Sequence, residues 1–193
     1  SNPLDGERRP GYVGKALPGI EVRLVDEANH LVAEGEPGLI QVRGATVFNE
    51  YWRQPKETEA AFTTDGWFIT GDQAVVEAGA YRILGRSSVD ILVTGGEKIS
   101  ALEIEGVMLT HPGVRECAVV GVPDVDWGDR VCAAIVSEDK DHLLADELRA
   151  FAKKRLAPYK VPKEILIVSE LPRNTMGKVT KPEVLKFFKP DKA

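Results

Sequence analysis

Cysteine is scarce in this chain. Cys117 and Cys132 are the only two, too few for a disulfide framework, and both fall in apolar runs read as strands, so buried reduced thiols are expected. The three histidines, His30, His111 and His142, lie far apart without ligand spacing, so no metal site of the chain's own is expected. No apolar run approaches the roughly 20 residues that a membrane-spanning helix needs, so no membrane span is expected. A basic excess is also missing. The 25 Lys and Arg face 30 Asp and Glu, a net charge of -5, which argues against a nucleic-acid-binding surface. Exposed lysines remain able to bind a small anion locally. There is no internal repeat and no low-complexity tract, and the sequence opens at Ser1-Asn2-Pro3 with no initiator Met and no apolar signal. That opening reads as an excised or tagged piece and leaves the compartment unread.

The length of 193 residues fits one large or two small domains, and the pattern along the chain favours two parts. The stretch from Pro3 to Gly19 is rich in Pro, Gly and charge and reads as loop. Ile20 to Val25 alternates, with Ile20, Val22 and Leu24 on one face, which predicts a half-buried strand. Gly35-Glu36-Pro37-Gly38 is a turn, and Leu39 to Val42 a second strand. Glu50 to Phe62 reads as helical. Gly66 to Ile69 reads as a strand running into Thr70-Gly71-Asp72, and Ala74 to Glu77 with Tyr81 to Leu84 as a hairpin about Ala78-Gly79. Short strands spaced by glycine turns predict an antiparallel barrel-like or sandwich piece.

The pattern changes around Gly85 to Glu105. Ile91, Leu92 and Val93 meet Gly95-Gly96, and a return strand begins at Lys98, a hairpin signal. Ser100 and Glu103 form a capping box before Ile104, Val107 and Met108. Strands are then expected at Glu116 to Val122, Arg130 to Ser137 and Ile165 to Val168. Helices are expected at Leu143 to Leu156 and after a second capping box, Thr180 with Glu183. The fold class read from this is α+β: a barrel-like piece over residues 1–86, then a small α+β domain over 87–193.

Three side chains carry candidate chemistry. Pro172 to Lys178 follows a strand and presents Lys178 at a loop tip, suited to a phosphate or carboxylate whose charge grows in a transition state; taken alone, such a lysine is usually just solvated. Asp72 follows a strand and can accept from two sugar hydroxyls, or merely cap a turn. Arg86 can fork onto phosphate or ribose oxygens, or onto a structural carboxylate.

Gly35-Glu36 with Val42-Arg43-Gly44, Thr70-Gly71-Asp72, Gly85-Arg86, Gly95-Gly96 with Glu103-Ile104-Glu105, and Pro172-Arg173-Asn174 with Gly177-Lys178 stand in one order. Together they resemble the acyl-adenylate-forming superfamily, from about Val13 to Phe188. Glu50-Tyr51-Trp52, Arg86 to Ile91, Ser100 to Glu103 and Leu156 to Pro162 bring the likeness toward its malonyl-CoA synthetase subgroup, the mitochondrial acyl-CoA synthetase type. The resemblance implies an enzyme that joins a carboxylic acid to ATP, giving acyl-AMP and pyrophosphate, and then passes the acyl group to CoA. It implies that Asp72 holds the ribose hydroxyls, Arg86 the ribose or phosphate, and that Lys178 bridges the α-phosphate and the carboxylate. Gly95, Gly96, Glu97 and Lys98 would then replace Lys178 at the site by rotation of a lid about a hinge at Ser88 or Val89, and would line the pantetheine path. Trp127-Gly128 after Pro123-Asp124 reads as a structured loop or as a neighbour of the CoA path, and Lys160 as an ordinary surface lysine or as a contact to CoA phosphates. Mg²⁺ would come with ATP.

The same resemblance places the phosphate loop and acid-selecting residues in a large domain before Ser1. The piece alone is then expected to be inactive, with apolar surface exposed for contacts between copies. A mitochondrial or a cytoplasmic site fits equally. A carrier-protein acceptor, or a nucleotide-sensing module without catalysis, are the competing readings.

Overall fold

Two glycine-punctuated sheets account for most of the chain in a computed structural model, which describes residues 1–2, 5–6, 8–9, 11–137 and 144–188. His142, Leu143 and parts of the opening loop (Pro3, Glu7, Pro10) lie outside the described residues. Two compact units are present, Ser1–Ser88 and Val89–Ala193.

The first unit is an open antiparallel sheet. Strands β1 (Tyr12–Gly14), β2 (Ile20–Val25), β3 (Gly38–Gly44), β4 (Phe68–Glu77) and β5 (Ala80–Arg86) lie in the order β1-β5-β4-β3-β2. β1 and β2 are its edges, so among the described residues the barrel-like piece does not close. The alternation of Ile20 to Val25 is realised: Leu24, Ile40 and Ala74 form the core, with Val22, Val42 and Val76 packed on it. Trp67 is buried, with the Arg23 and Arg43 guanidinium carbons each 4.4 Å from its ring centroid. The opening segment, expected as loop, contributes β1.

Two corrections concern this unit. Helix α1 is only Pro55–Ala61, not Glu50 to Phe62. Proline disfavours helical geometry in the residue before it, and Arg53 adopts φ 55, so the chain cannot wind earlier. The two strands expected either side of Thr70-Gly71-Asp72 are one ten-residue strand, β4. Gly71, at φ 79, lets it pass through a bulge: Gln41 pairs Ile69 while Leu39 pairs Gln73.

The second unit is built on β9 (Gly128–Ser137). β8 (Val114–Asp124) pairs it antiparallel along its length; on the other side β10 (Glu164–Val168) pairs it in parallel, and β6 (Ile91–Thr94) touches it at Gly128. β7 (Glu97–Ser100) completes the hairpin with β6. β9 is apolar throughout most of its length because both its faces are covered. Val131, Ala133 and Ile135 pack with Ile104 and Met108 of α2 (Ala101–Met108) and Leu148 and Ala152 of α3 (Ala145–Lys153). Cys132, Ala134 and Val136 pack with Leu171, Val184 of α4 (Lys181–Val184), and Phe188. Pro123 is tolerated in β8 because, among the described residues, β9 is its only ladder partner.

Both capping boxes differ in part from expectation. The Glu103 amide does bond Ser100 Oγ at 3.1 Å, but the Glu103 carboxylate goes to Lys160. The Thr180 hydroxyl makes no cap bond; the Glu183 amide bonds the Thr180 carbonyl instead, at 2.9 Å.

Cys117 and Cys132 are free, partly and fully buried respectively. Burial pushes the Cys132 thiol up to about 11, and the Cys117 thiol higher still. Neither is expected to react with a thiol reagent near about pH 8 in the folded chain, and both after denaturation, because the thiolate is the reactive form. Fast labelling of folded protein, read by mass spectrometry, would contradict this burial.

Candidate functional site

The β4 bulge sets the first group of candidates. The Thr70 hydroxyl donates to the Ile40 carbonyl at 3.0 Å and accepts from the Asp72 amide at 3.1 Å, which fixes the chain around Gly71. Asp72 then stands opposite Arg86 in the β4–β5 ladder, and Arg86 Nε donates to Asp72 Oδ1 at 3.1 Å. Both side chains remain solvent-accessible, at 34% for Asp72 and 56% for Arg86. A carboxylate has about four acceptor positions, so Asp72 keeps capacity for hydroxyl donors beyond this pair.

A turn follows Arg86. The Ser87 amide bonds the Gly71 carbonyl at 2.9 Å, returning the chain to the bulge. Ser88 and Val89, the hinge candidates, are the last residue of the first unit and the first of the second.

The Gly95-Gly96 pair closes the β6–β7 hairpin with φ 58 and 83, the two left-handed positions a tight two-residue turn needs. The tip is docked. The Gly95 amide donates to the Trp127 carbonyl at 2.9 Å, and Thr94 pairs Gly128. A β-carbon on Gly95 would stand 3.6 Å from the Trp127 ring. Asp124 Oδ1 shapes the Trp127 loop by accepting from the Asp126 and Trp127 amides, and the Lys163 ammonium lies 4.6 Å from the Trp127 ring centroid. Glu97 and Lys98 are exposed beside the tip.

Lys160 is held in a short 3₁₀ turn, Pro158–Lys160, and its ammonium contacts both Glu103 carboxylate oxygens at 2.7 Å. An ammonium has three donors, so the Glu103 contacts leave one to spare.

The Lys178 loop is a small hairpin made by Asn174. Asn174 Oδ1 accepts from the Met176 and Lys178 amides, each at 3.0 Å, and the Asn174 amide donates to the Lys178 carbonyl at 2.9 Å. Arg173 braces it by donating to the Gly177 carbonyl at 2.7 Å and pairing with Glu116. Lys178 itself is exposed, and its ammonium has no partner among the described residues.

The anchors of the two tips are far apart. The Lys178 loop is tied through Arg173 to Glu116, near the start of β8, and the Gly95-Gly96 tip to the residues just after Asp124, at its end. The eight-residue step from Glu116 to Asp124 spans roughly 26 Å at about 3.3 Å per residue.

One cluster has no counterpart among the sequence expectations. Lys181 Nζ lies 2.5 Å from Asp90 Oδ1 and 2.8 Å from Glu105 Oε1, and all three side chains are 13% exposed. Burial pushes the Glu105 carboxyl above the usual carboxylate range, while Lys181 and the Val119 amide pull it back. Lys181 and Asp90 are 91 residues apart, so no local spacing could have joined them. Among the described residues no group of three or more His, Cys, Asp or Glu could hold a metal, and no helix is long and apolar enough to cross a membrane.

Comparison with known proteins bears on the family. The AMP-binding enzyme model matches residues 1–52, and the AMP-binding enzyme C-terminal domain model matches residues 103–178. The chain is 47% identical over 210 residues to "Malonate--CoA ligase ACSF3, mitochondrial" of Bos taurus, covering 98% of this chain and 36% of that protein. It is 47% identical over 197 residues to "Malonate--CoA ligase" of Arabidopsis thaliana, covering 96% and 32%. ATP-bound MatB from Rhodopseudomonas palustris superposes with a TM-score of 0.88 at 41% identity, over 97% of this chain and 37% of that one. The chain thus spans about a third of the length of the relatives it matches. With both family segments in order and near-full coverage by such relatives, the chain belongs to the AMP-binding, acyl-adenylate-forming enzymes.

Proposed function

We propose that this chain is the C-terminal third of an ATP-dependent acid–CoA ligase whose acid is malonate. The carboxylate attacks the α-phosphate of ATP, giving acyl-AMP and pyrophosphate; the CoA thiol then attacks the acyl carbon and AMP leaves. The first unit is the end of the large adenylation domain and the second is the lid. The observation that carries the two-step reading is the placement of the two tips. The Lys178 loop is anchored near one end of the β8–β9 pair and the Gly95-Gly96 tip near the other, so a lid moving as one body would not deliver both to one reacting centre at once. Rotation about Ser88 and Val89 would present them in turn.

In this reading Asp72 accepts from the ribose hydroxyls through the oxygen capacity left by Arg86. Arg86 faces the ribose or phosphate. Lys178 places a cation between two approaching anions. The Gly95-Gly96 tip with Glu97 and Lys98 flanks the pantetheine arm, and the third donor of Lys160 takes a CoA phosphate oxygen. Mg²⁺ travels with ATP and neutralises phosphate charge there. The malonate assignment follows the names of the relatives, and the mitochondrial labels of the animal ones make the mitochondrion the proposed compartment. No observation favours the carrier-protein or nucleotide-sensing readings.

The test is product analysis with the full-length ligase, ATP, a panel of carboxylic acids and, as acceptor, CoA or a phosphopantetheinyl carrier protein. Malonate is expected to give malonyl-CoA, AMP and pyrophosphate in equal amounts. Release of ADP, or acyl transfer only to a carrier protein, would overturn the assignment.

A further inference from the structure

The Lys178 loop stands on two posts. Arg173 ties one leg to Glu116, with side chains 44% and 28% exposed, so water screens this pair. Lys181 ties the other leg, and it is mostly shielded from water. Its ammonium meets Asp90 and Glu105 with all three side chains 13% exposed. Asp90 follows Val89 directly, and its carbonyl accepts the Ala101 amide at 2.7 Å, at the start of α2. Glu105 lies on α2, and its Oε1 also accepts the Val119 amide of β8 at 2.8 Å. One side chain three residues after Lys178 therefore joins the linker exit, α2 and β8.

Two carboxylates around one ammonium, largely removed from water, are a poor way to gain stability. What the arrangement does provide is a fixed distance between the linker exit and the base of the Lys178 loop. We propose that Lys181 is a positioning residue for adenylation: it clamps the Lys178 loop to the first residues after the hinge, so that turning the hinge carries Lys178 as part of one body. The proposal rests on reading Lys178 as the adenylation cation.

The test compares Lys181→Met, Lys181→Arg and Asp90→Asn in the full-length ligase, following pyrophosphate release and, separately, thioester formation from preformed acyl-adenylate. Lys181→Met is expected to lower the adenylation kcat roughly 10–10²-fold, the scale of a displacement of about 1 Å or less at a reacting group. KM for ATP and the thioester step should stay within about twofold, and Lys181→Arg should restore most of the loss. Asp90→Asn, which keeps the shape, should show a smaller loss of the same kind. In the 193-residue chain, Lys181→Met should speed amide exchange at residues 88–91 and 174–180 and leave β9 protected.

Equal loss of both half-reactions would reduce Lys181 to a folding residue and overturn the proposal. Lys178→Ala, run in parallel, keeps the two claims apart. If that variant loses adenylation and Lys181→Met does not, the clamp fails alone. If Lys178→Ala keeps adenylation, the reading of Lys178 fails.

Discussion

Replacing Lys178 with alanine in the full-length ligase is expected to slow adenylation roughly 10²–10³-fold, a loss of about 3–4 kcal/mol of transition-state stabilisation. Thioester formation from preformed acyl-adenylate should change less than about threefold. A carboxylate approaching a phosphate brings like charges together, and a cation fixed at their contact lowers that barrier more than it helps ground-state binding. The structure supplies the fixing. Asn174 Oδ1 holds the Lys178 amide, and Arg173 holds the Gly177 carbonyl, so the lysine backbone is set while its ammonium is presented outward. Separate assays of pyrophosphate release and of thioester formation decide the matter. A parallel drop in both would show that the substitution damages the fold.

The mirror-image result is expected for Gly95→Val. Gly95 sits at φ 58, where a β-branched residue is strained by about 1–3 kcal/mol. A first side-chain carbon would meet the Trp127 ring at ordinary contact distance, but the added methyl groups would press on it. The tip would therefore leave its seat on Trp127 and the neighbouring Gly128 ladder. Thioester formation should fall by roughly tenfold or more, while adenylation stays within about threefold. A β-carbon on Gly96 would meet nothing within 4 Å, so an alanine there tests backbone strain alone. Loss of adenylation with Gly95→Val and retention of the thioester step would reverse the roles given to the two tips.

Local pattern carried much of this molecule. The alternation of Ile20 to Val25, the paired glycines of the β6–β7 hairpin and the helix beginning after Ser100 each follow from neighbours within a few residues. The run from Val131 to Val136 announced a strand, but not that β10 would join it in parallel, because pairing direction depends on the path of the intervening chain. Gly71 looked like the end of a strand. Only the β3 ladder shows that it is a bulge inside one. Glu103 looked like half of a capping box, yet a lysine 57 residues away takes its carboxylate. For the same reason Asp72, Arg86 and Lys178 could be singled out from motif order, while Asp90, Glu105 and Lys181 could not be joined. Their meeting is a product of the folded body, and each is an ordinary surface residue type when read alone.

The length of the β8–β9 hairpin also bears on how such a ligase could be stopped. If the two tips act in turn as proposed, a small molecule bound against Trp127 at one end, or against the Asn174 turn at the other, would arrest turnover at a defined stage. It would need no likeness to acid, nucleotide or thiol, and inhibitors of the two kinds would accumulate different intermediates.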